Sequence, residues 1–173
     1  MQMVKKIFTI ILAVILSIII FAPKDRLYFM LEEQLKEQNQ IVVSNEKLNS
    51  GFFGLEIKNG DISINEINLI KFDLIDISSF IFSSSVDIEN MKIDKSVSSM
   101  LPISELNATI THNIISPMQI GIKITSGDIT QYATLKMVED GLIQIRINDI
   151  NSTKWLKPFM KQDENGWYYE TTI

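Results

Sequence analysis

Cysteine is absent from all 173 residues, which removes disulfides, thiolate metal sites, a cysteine nucleophile and a lipid-modified N-terminal cysteine together. The fold must hold by packing alone. Histidine is almost as scarce: His112 is the single example, and no second imidazole or thiolate is there to share a metal with it. No G-x-S-x-G, HExxH, P-loop or dinucleotide fingerprint occurs, and the acids fall mostly in turns or at polar strand positions. The residues therefore predict no catalytic site, no metal and no cofactor. No run of like charge stands out and the net charge is -5, so the clustered cations that phosphate binding needs are missing, which argues against nucleic acid as a partner.

Long apolar runs are lacking too, with one exception. Ile7 to Ala22 carries no charge and follows Lys5 and Lys6. At about 1.5 Å per residue it gives about 24 Å of helix, which spans a bilayer if Val4 and its neighbours join in. A cleaved signal peptide needs small residues at both -3 and -1, whereas Ala22 is preceded by Ile20 and Phe21. The stretch thus predicts an uncleaved, single-pass transmembrane helix. Its N-terminal lysines place the short end in the cytoplasm and the rest outside, which for a bacterial inner membrane is the periplasm. Residues 1–22 are then the cytoplasmic tip and anchor, 23–39 an amphipathic helix and 40–173 a periplasmic β domain. Asp25 reads as the N-cap of that second helix, with Leu27, Leu31, Leu35 and Gln38 on one face. Glu32, Glu33, Lys36 and Glu37 give it more acid than an anionic bilayer would attract, so it is expected to cover the β domain.

From Ile41 the chain alternates apolar and polar residues in short runs, which predicts a mainly β fold: a curled antiparallel sheet or a sandwich, with a short C-terminal helix capped by Asn151 or Ser152. Asn59–Gly60 and Ser126–Gly127 read as two-residue hairpin loops, placing Ile57 opposite Ile62 and Ile124 opposite Ile129. Glu139-Asp140-Gly141 suits a three-residue loop that brings Met137 opposite Ile143 and Leu135 opposite Ile145. The apolar phase slips between Ile67 and Ile77, so either both faces are partly buried or bulges bend that strand. Ser83 to Ser85 read as a loop. Residues 95–104 read as either a connection or a short helix.

The alternation stacks Ile120, Ile122, Ile124, Ile129, Ile143, Ile145 and Ile147 on one face of the sheet. Such a face is covered by a second sheet, by helices, by curling or by a ligand. It is therefore either a packing face or a site for an apolar ligand, with a lipid the natural guest.

Pro23-Lys24-Asp25-Arg26-Leu27 through Ile41-Val42-Val43-Ser44, then Gly54-Leu55-Glu56-Ile57 and Gly60-Asp61-Ile62, resembles the type II secretion system protein N family. The resemblance is of layout and strand-turn style over most of the chain, and this chain is shorter than many members. It implies a non-enzymatic inner-membrane component of an envelope assembly whose partners are other secretion-system subunits. That family is similar to AsmA-like envelope proteins, and the layout recurs in the bitopic lipopolysaccharide-export component. The alternative implied is a periplasmic lipid-binding or lipid-transfer module.

Overall fold

The computed structural model describes residues 2–21, 23–94, 103–139 and 141–172; the side chains of residues 2–5, 8, 12, 15, 19, 20, 152 and 155 fall outside the description. Two helices, α1 (Gln2–Phe21) and α2 (Lys24–Asn39), precede eleven strands. In chain order these are β1 (Ile41–Ser44), β2 (Lys47–Ser50), β3 (Gly54–Ile64), β4 (Ile67–Phe80), β5 (Ser83–Ile93), β6 (Glu105–Asn113), β7 (Gln119–Ser126), β8 (Ile129–Glu139), β9 (Leu142–Ile147), β10 (Lys161–Asp163) and β11 (Gly166–Thr172). Every pairing is antiparallel. Counted over the described residues, no helix is long and apolar enough to cross a membrane.

All eleven strands join one sheet in the order β1-β3-β4-β5-β6-β7-β8-β9-β11-β10, with β2 extending β1 along the same edge of β3. The expectation of a curled sheet or a sandwich is corrected here. The end strands do not meet, so the sheet neither closes nor folds onto a second layer. The chain achieves this by meandering, since a tight turn can only place a strand beside its predecessor. The last turns differ: β11 inserts between β9 and β10.

The predicted loop at Asn59–Gly60 is also corrected. Both residues lie inside β3, which continues to Ile64 and turns at Asn65 and Glu66, with φ of 50° and 66°. Asn59 does take a positive φ, 57°, as Asn45 and Asn90 do at 65° and 52°. Register aligns these positions across the sheet: Asn59 lies opposite Asp73, between the pairs Lys58↔Leu74 and Gly60↔Phe72, and Asp73 lies opposite Asn90. Asn90 Nδ2 donates to Asp73 Oδ2 at 2.9 Å, and the Asn90 N–H donates to Asn107 Oδ1 at 2.8 Å. Asparagine is suited to this seam because it tolerates the left-handed region and satisfies neighbouring groups with its amide.

The seam resets the strand phase. Leu55 and Ile57 before it, and Ile62 after it, pack into one cluster with Phe72, Val43, Leu48, Ile75 and Ile77, although a strict period of two would send half of them to the other side. This accounts for the phase slip between Ile67 and Ile77. The β4–β5 turn is Ile81–Phe82, and the serines expected to form a loop begin β5. Gly127–Asp128 form the next tight turn, one residue later than predicted, so Ile124 faces Gln131. The Met137↔Ile143 and Leu135↔Ile145 pairs are as expected, with Gly141 at φ 79°. Asp140 and the expected connection over residues 95–102 lie outside the described residues.

α2 covers the β1–β3 corner, as expected of a helix that shields the β domain, but of the predicted stripe only Leu35 is half-buried. Leu27 and Leu31 are exposed, and Tyr28 is the residue packed on the Leu55, Ile57 and Phe72 core. Nor does Asp25 cap the helix; its side chain bonds Ser50 instead. The C-terminal helix is a 3-10 segment over Ile150–Phe159, capped by Asp149, whose Oδ1 accepts from the Asn151 N–H at 2.9 Å. That corrects the cap expected at Asn151 or Ser152.

Two stability predictions follow from this core. A Cβ on Gly60 would overlap the Phe72 ring, so Gly60→Ala should cost about 1–3 kcal/mol in denaturant unfolding, whereas Gly51→Ala, with its nearest neighbour at 3.8 Å, should stay within about 0.5 kcal/mol. Among the described residues the Tyr28 hydroxyl is buried without a hydrogen-bond partner; burial, then the charges of Glu46 and Glu32, push its pKa up. Tyr28→Phe should raise the melting temperature, gaining up to about 1 kcal/mol by removing the unpaired group.

Candidate functional site

Seven isoleucines were expected on one face, and the register decides how they meet. Ile120, Ile122 and Ile124 on β7 lie opposite Leu135, Ala133 and Gln131 on β8. Ala133, Leu135 and Met137 in turn face Ile147, Ile145 and Ile143 on β9. Six of the seven therefore form one continuous patch. Ile129 shares their phase but sits beside the β7–β8 turn and is exposed. Sequence reasoning left out several neighbours: Ile110 pairs with Ile122, and Trp167 and Tyr169 of β11 pair with Ile147 and Ile145. Alternation of Leu106, Ala108 and Ile110 within β6 was visible, and β11 read only as aromatic-rich. Their adjacency was not.

What covers this face is the informative part. Under α2, Leu55, Ile57 and Phe72 are 3–5% exposed. At the other end the 3-10 segment seats Ile150 and Thr153 near Ile147, all three buried, and Gln131 Nε2 donates to the Asp149 carbonyl. Lys157 Nζ lies 5.1 Å from the centre of the Trp167 ring. Between those two covers, Val86, Ile88, Ile110, Ile122, Leu135 and Ile145 are only half-buried. Among the described residues they are shielded by their strand neighbours and not by a second layer.

The total accessible surface supports this description. At 12411 Å² for 19.8 kDa, it exceeds the roughly 8,600 Å² expected of a compact monomer of that mass. Ile7, Ile10, Ile11, Val14, Ile18 and Phe21 of α1 are exposed and contribute to it.

The opposite face is polar and pinned by charge at its C-terminal edge. Arg146 Nη1 and Nη2 donate to Asp163 Oδ1 and Oδ2 at 2.7 and 2.8 Å, with the Tyr168 ring 5.2 Å from the guanidinium carbon. Lys161 Nζ bonds Glu170 Oε2 at 3.1 Å, and Gln144 Nε2 donates to Glu170 Oε1 at 3.1 Å. Both pairs tie β10 to its neighbours. The Arg146 guanidinium holds the Asp163 carboxyl down to about 2.

An open hollow of about 500 Å³ lies where β3 to β7 end, lined by Phe53, Phe80, Thr111, His112 and Gln119 with serines from β4 and β5. His112 is half-buried with Nε2 3.2 Å from the Pro117 carbonyl oxygen. Among the described residues no three His, Asp or Glu side chains gather as a metal-holding group. Ser84 and His112 lie opposite each other in register at its wall. The uncovered apolar face is thus the feature with the clearest chemical demand: it must exclude water, and nothing in the described chain does so for it.

No family model, no curated protein and no solved structure matches this chain.

The Arg146–Asp163 pair generates an acid dependence. Its folded carboxyl titrates at about 2 against the ordinary 3.8, so its stabilising effect is complete above about pH 4 and lost as the pH falls through about 2. The difference in melting temperature between the parent and Asp163→Asn should therefore be constant from pH 7 to about 5 and shrink towards zero near pH 2.

Proposed function

We propose that this protein is a non-enzymatic, membrane-anchored envelope protein that holds acyl chains along the apolar face running from β5 to β11. The observation that carries this reading is the contrast between Leu55, Ile57 and Phe72, sealed under α2, and Ile122, Leu135 and Ile145, aligned on the same sheet with no covering layer among the described residues. An apolar strip of this kind binds without ionic or metal chemistry, because the free energy comes from area removed from water, about 25 cal/mol per Å². A flexible hydrocarbon chain conforms to a pleated surface of branched side chains better than a rigid polar ligand would.

The anchor belongs to this reading. The described residues give no helix long and apolar enough to cross a membrane, so the anchor is proposed from the sequence of α1: 20 residues, about 30 Å at 1.5 Å per residue, uncharged from Ile7 to Phe21. Lys5 and Lys6 on its short side favour a cytoplasmic N-terminus, a single pass through the bacterial inner membrane and a periplasmic sheet.

A second reading, a subunit of an envelope assembly of the type II secretion kind, is favoured by the sheet edge. β10 pairs only with Gly166 to Tyr168, so the outer backbone of β11 from Tyr169 to Thr172 has no strand beside it among the described residues. An unpaired edge accepts a strand from a partner.

The test uses full-length chain in membranes containing a photoactivatable phospholipid, comparing the parent with Ile122→Asn and Ile145→Asn. The expected outcome is lipid adducts in the parent, lost in both variants, with melting temperatures close to the parent's. A face closed against protein would instead show a loss of roughly 1–3 kcal/mol from burying an unpaired amide. Absence of adducts in the parent removes the lipid reading and leaves the assembly one.

A further inference from the structure

The two ends of the sheet have opposite chemistry. At the end where β3 begins and β4 ends, the turn tips carry Phe52, Phe53, Phe80 and Phe82, continued at the β6–β7 loop by Ile114 and Ile115. Turns ordinarily favour Gly, Asn, Asp, Ser and Pro. Here Phe82 is 63% and Ile115 83% exposed. The tips hold one another in line: the Ser79 N–H donates to the Phe53 carbonyl at 2.7 Å, the Ile114 N–H to the Phe82 carbonyl at 3.0 Å, and the Phe53 and Phe80 rings meet edge-on at 5.4 Å. The opposite end carries Glu66, Asp94, Glu105, Asp128, Asp149 and Glu164 at its strand ends and turns. The first rim is aromatic and aliphatic from β3 to β7 and carries Glu139 where β8 ends; the other is richer in acid, with Ile67 and Ile129 exposed beside Glu66 and Asp128.

A separate observation says which way the apolar rim points. α2 runs from one rim to the other. Its first turn is tied to the apolar rim by the Asp25 to Ser50 side-chain bond, one residue before Gly51 and Phe52. Its C-terminal end reaches the acidic rim, where the Asn65 N–H donates to the carbonyl of Gln40, the residue after the helix, at 3.2 Å. α1 enters α2 at the apolar end, with two residues between the helices. α2 repeats the gradient along its own length: Leu27, Phe29, Met30 and Leu31 are exposed in its first half, and Glu33, Glu37, Gln38 and Asn39 in its second.

We propose that the apolar rim, Phe52, Phe53, Phe80, Phe82, Ile114 and Ile115, is a membrane-docking edge that sinks into the interface of the bilayer holding α1. The proposal rests on the anchor reading above. Aromatic and branched tips seated at headgroup depth lose water without needing backbone partners inside the hydrocarbon. The acidic rim then stands about 30 Å away, at the far ends of the strands, where repulsion from an anionic surface is screened. The docked sheet stands upright on the membrane. Its uncovered apolar face starts at this same rim, with Ile120 two residues beyond Met118, so an acyl chain could pass from bilayer to sheet without crossing water.

The absence of cysteine makes the test direct. Full-length chain carrying one of Phe52→Cys, Phe82→Cys, Ile115→Cys, Glu66→Cys, Asp128→Cys or Val14→Cys is labelled with an environment-sensitive fluorophore. Each is reconstituted in vesicles of phosphatidylethanolamine and phosphatidylglycerol containing lipids brominated at set depths. All sites except Val14 are exposed turn positions, and circular dichroism checks that each variant is folded. The proposal expects blue-shifted emission and quenching of about half at the three rim sites by shallow bromines, consistent with a depth of about 5–10 Å, and none at Glu66 or Asp128. Deep bromines should quench the Val14 site. Quenching at Val14 with none at the rim overturns the docking edge and leaves the anchor intact. Quenching at neither overturns both, and equal quenching at both rims overturns the orientation on which the docking edge depends.

Discussion

An apolar sheet face must be removed from water, and among the described residues that requirement is met at two places. α2 seals one corner through Tyr28 on the Leu55, Ile57 and Phe72 cluster, and the 3-10 segment seals Ile147 and Ile150 near the other end. The strands between them depend on backbone pairing and on side-chain contact within a single layer. A sheet in this state is held in register by its hydrogen bonds and cross-strand pairs, each a modest term.

The asparagine seam serves the same requirement. Long strands of strict period two would need an uninterrupted apolar alternation, yet β3, β4 and β5 each carry a phase change. Placing positive-φ asparagines in β3 and β5, opposite one another across Asp73, lets those strands change phase together. The apolar side stays single. One such residue alone would have put half of a strand's isoleucines into water, so the positions make sense only as a set. The polar face carries a parallel device at its far edge, where the Arg146–Asp163 and Lys161–Glu170 pairs fasten β10 across β11.

The two rims and the helices share one axis. Apolar side chains become fewer from α1 through the first half of α2 and the Phe52, Phe82 and Ile115 tips, and acids take over towards Glu66, Asp128 and Glu164. A gradient of this kind along a sheet orients it with respect to an interface between oil and water. The proposed lipid-holding face lies perpendicular to that interface and begins at it, which gives both proposals a common geometry while leaving each its own test.

The amino-acid order by itself determined the strand-rich character, the α2 helix, and the sharing of one face by β7, β8 and β9, because alternation and helical spacing are local properties that a chain carries into any fold. It also determined the β8–β9 pairing, since Gly141 leaves few other turns open. Misplacing the turn at Asn59–Gly60 had a physical cause: an asparagine at positive φ followed by glycine is the same local solution whether the chain reverses or a strand changes phase, and only the partner strand distinguishes them. Gly60 proves to be there for the Phe72 ring, a contact between residues brought together by pairing. Likewise, the choice of Tyr28 over Leu27 and Leu31 as the seated residue, and the open single layer in place of a curl or sandwich, were settled by tertiary structure. Those outcomes depend on which surfaces meet across the sheet, and no spacing within a strand or a helix encodes that.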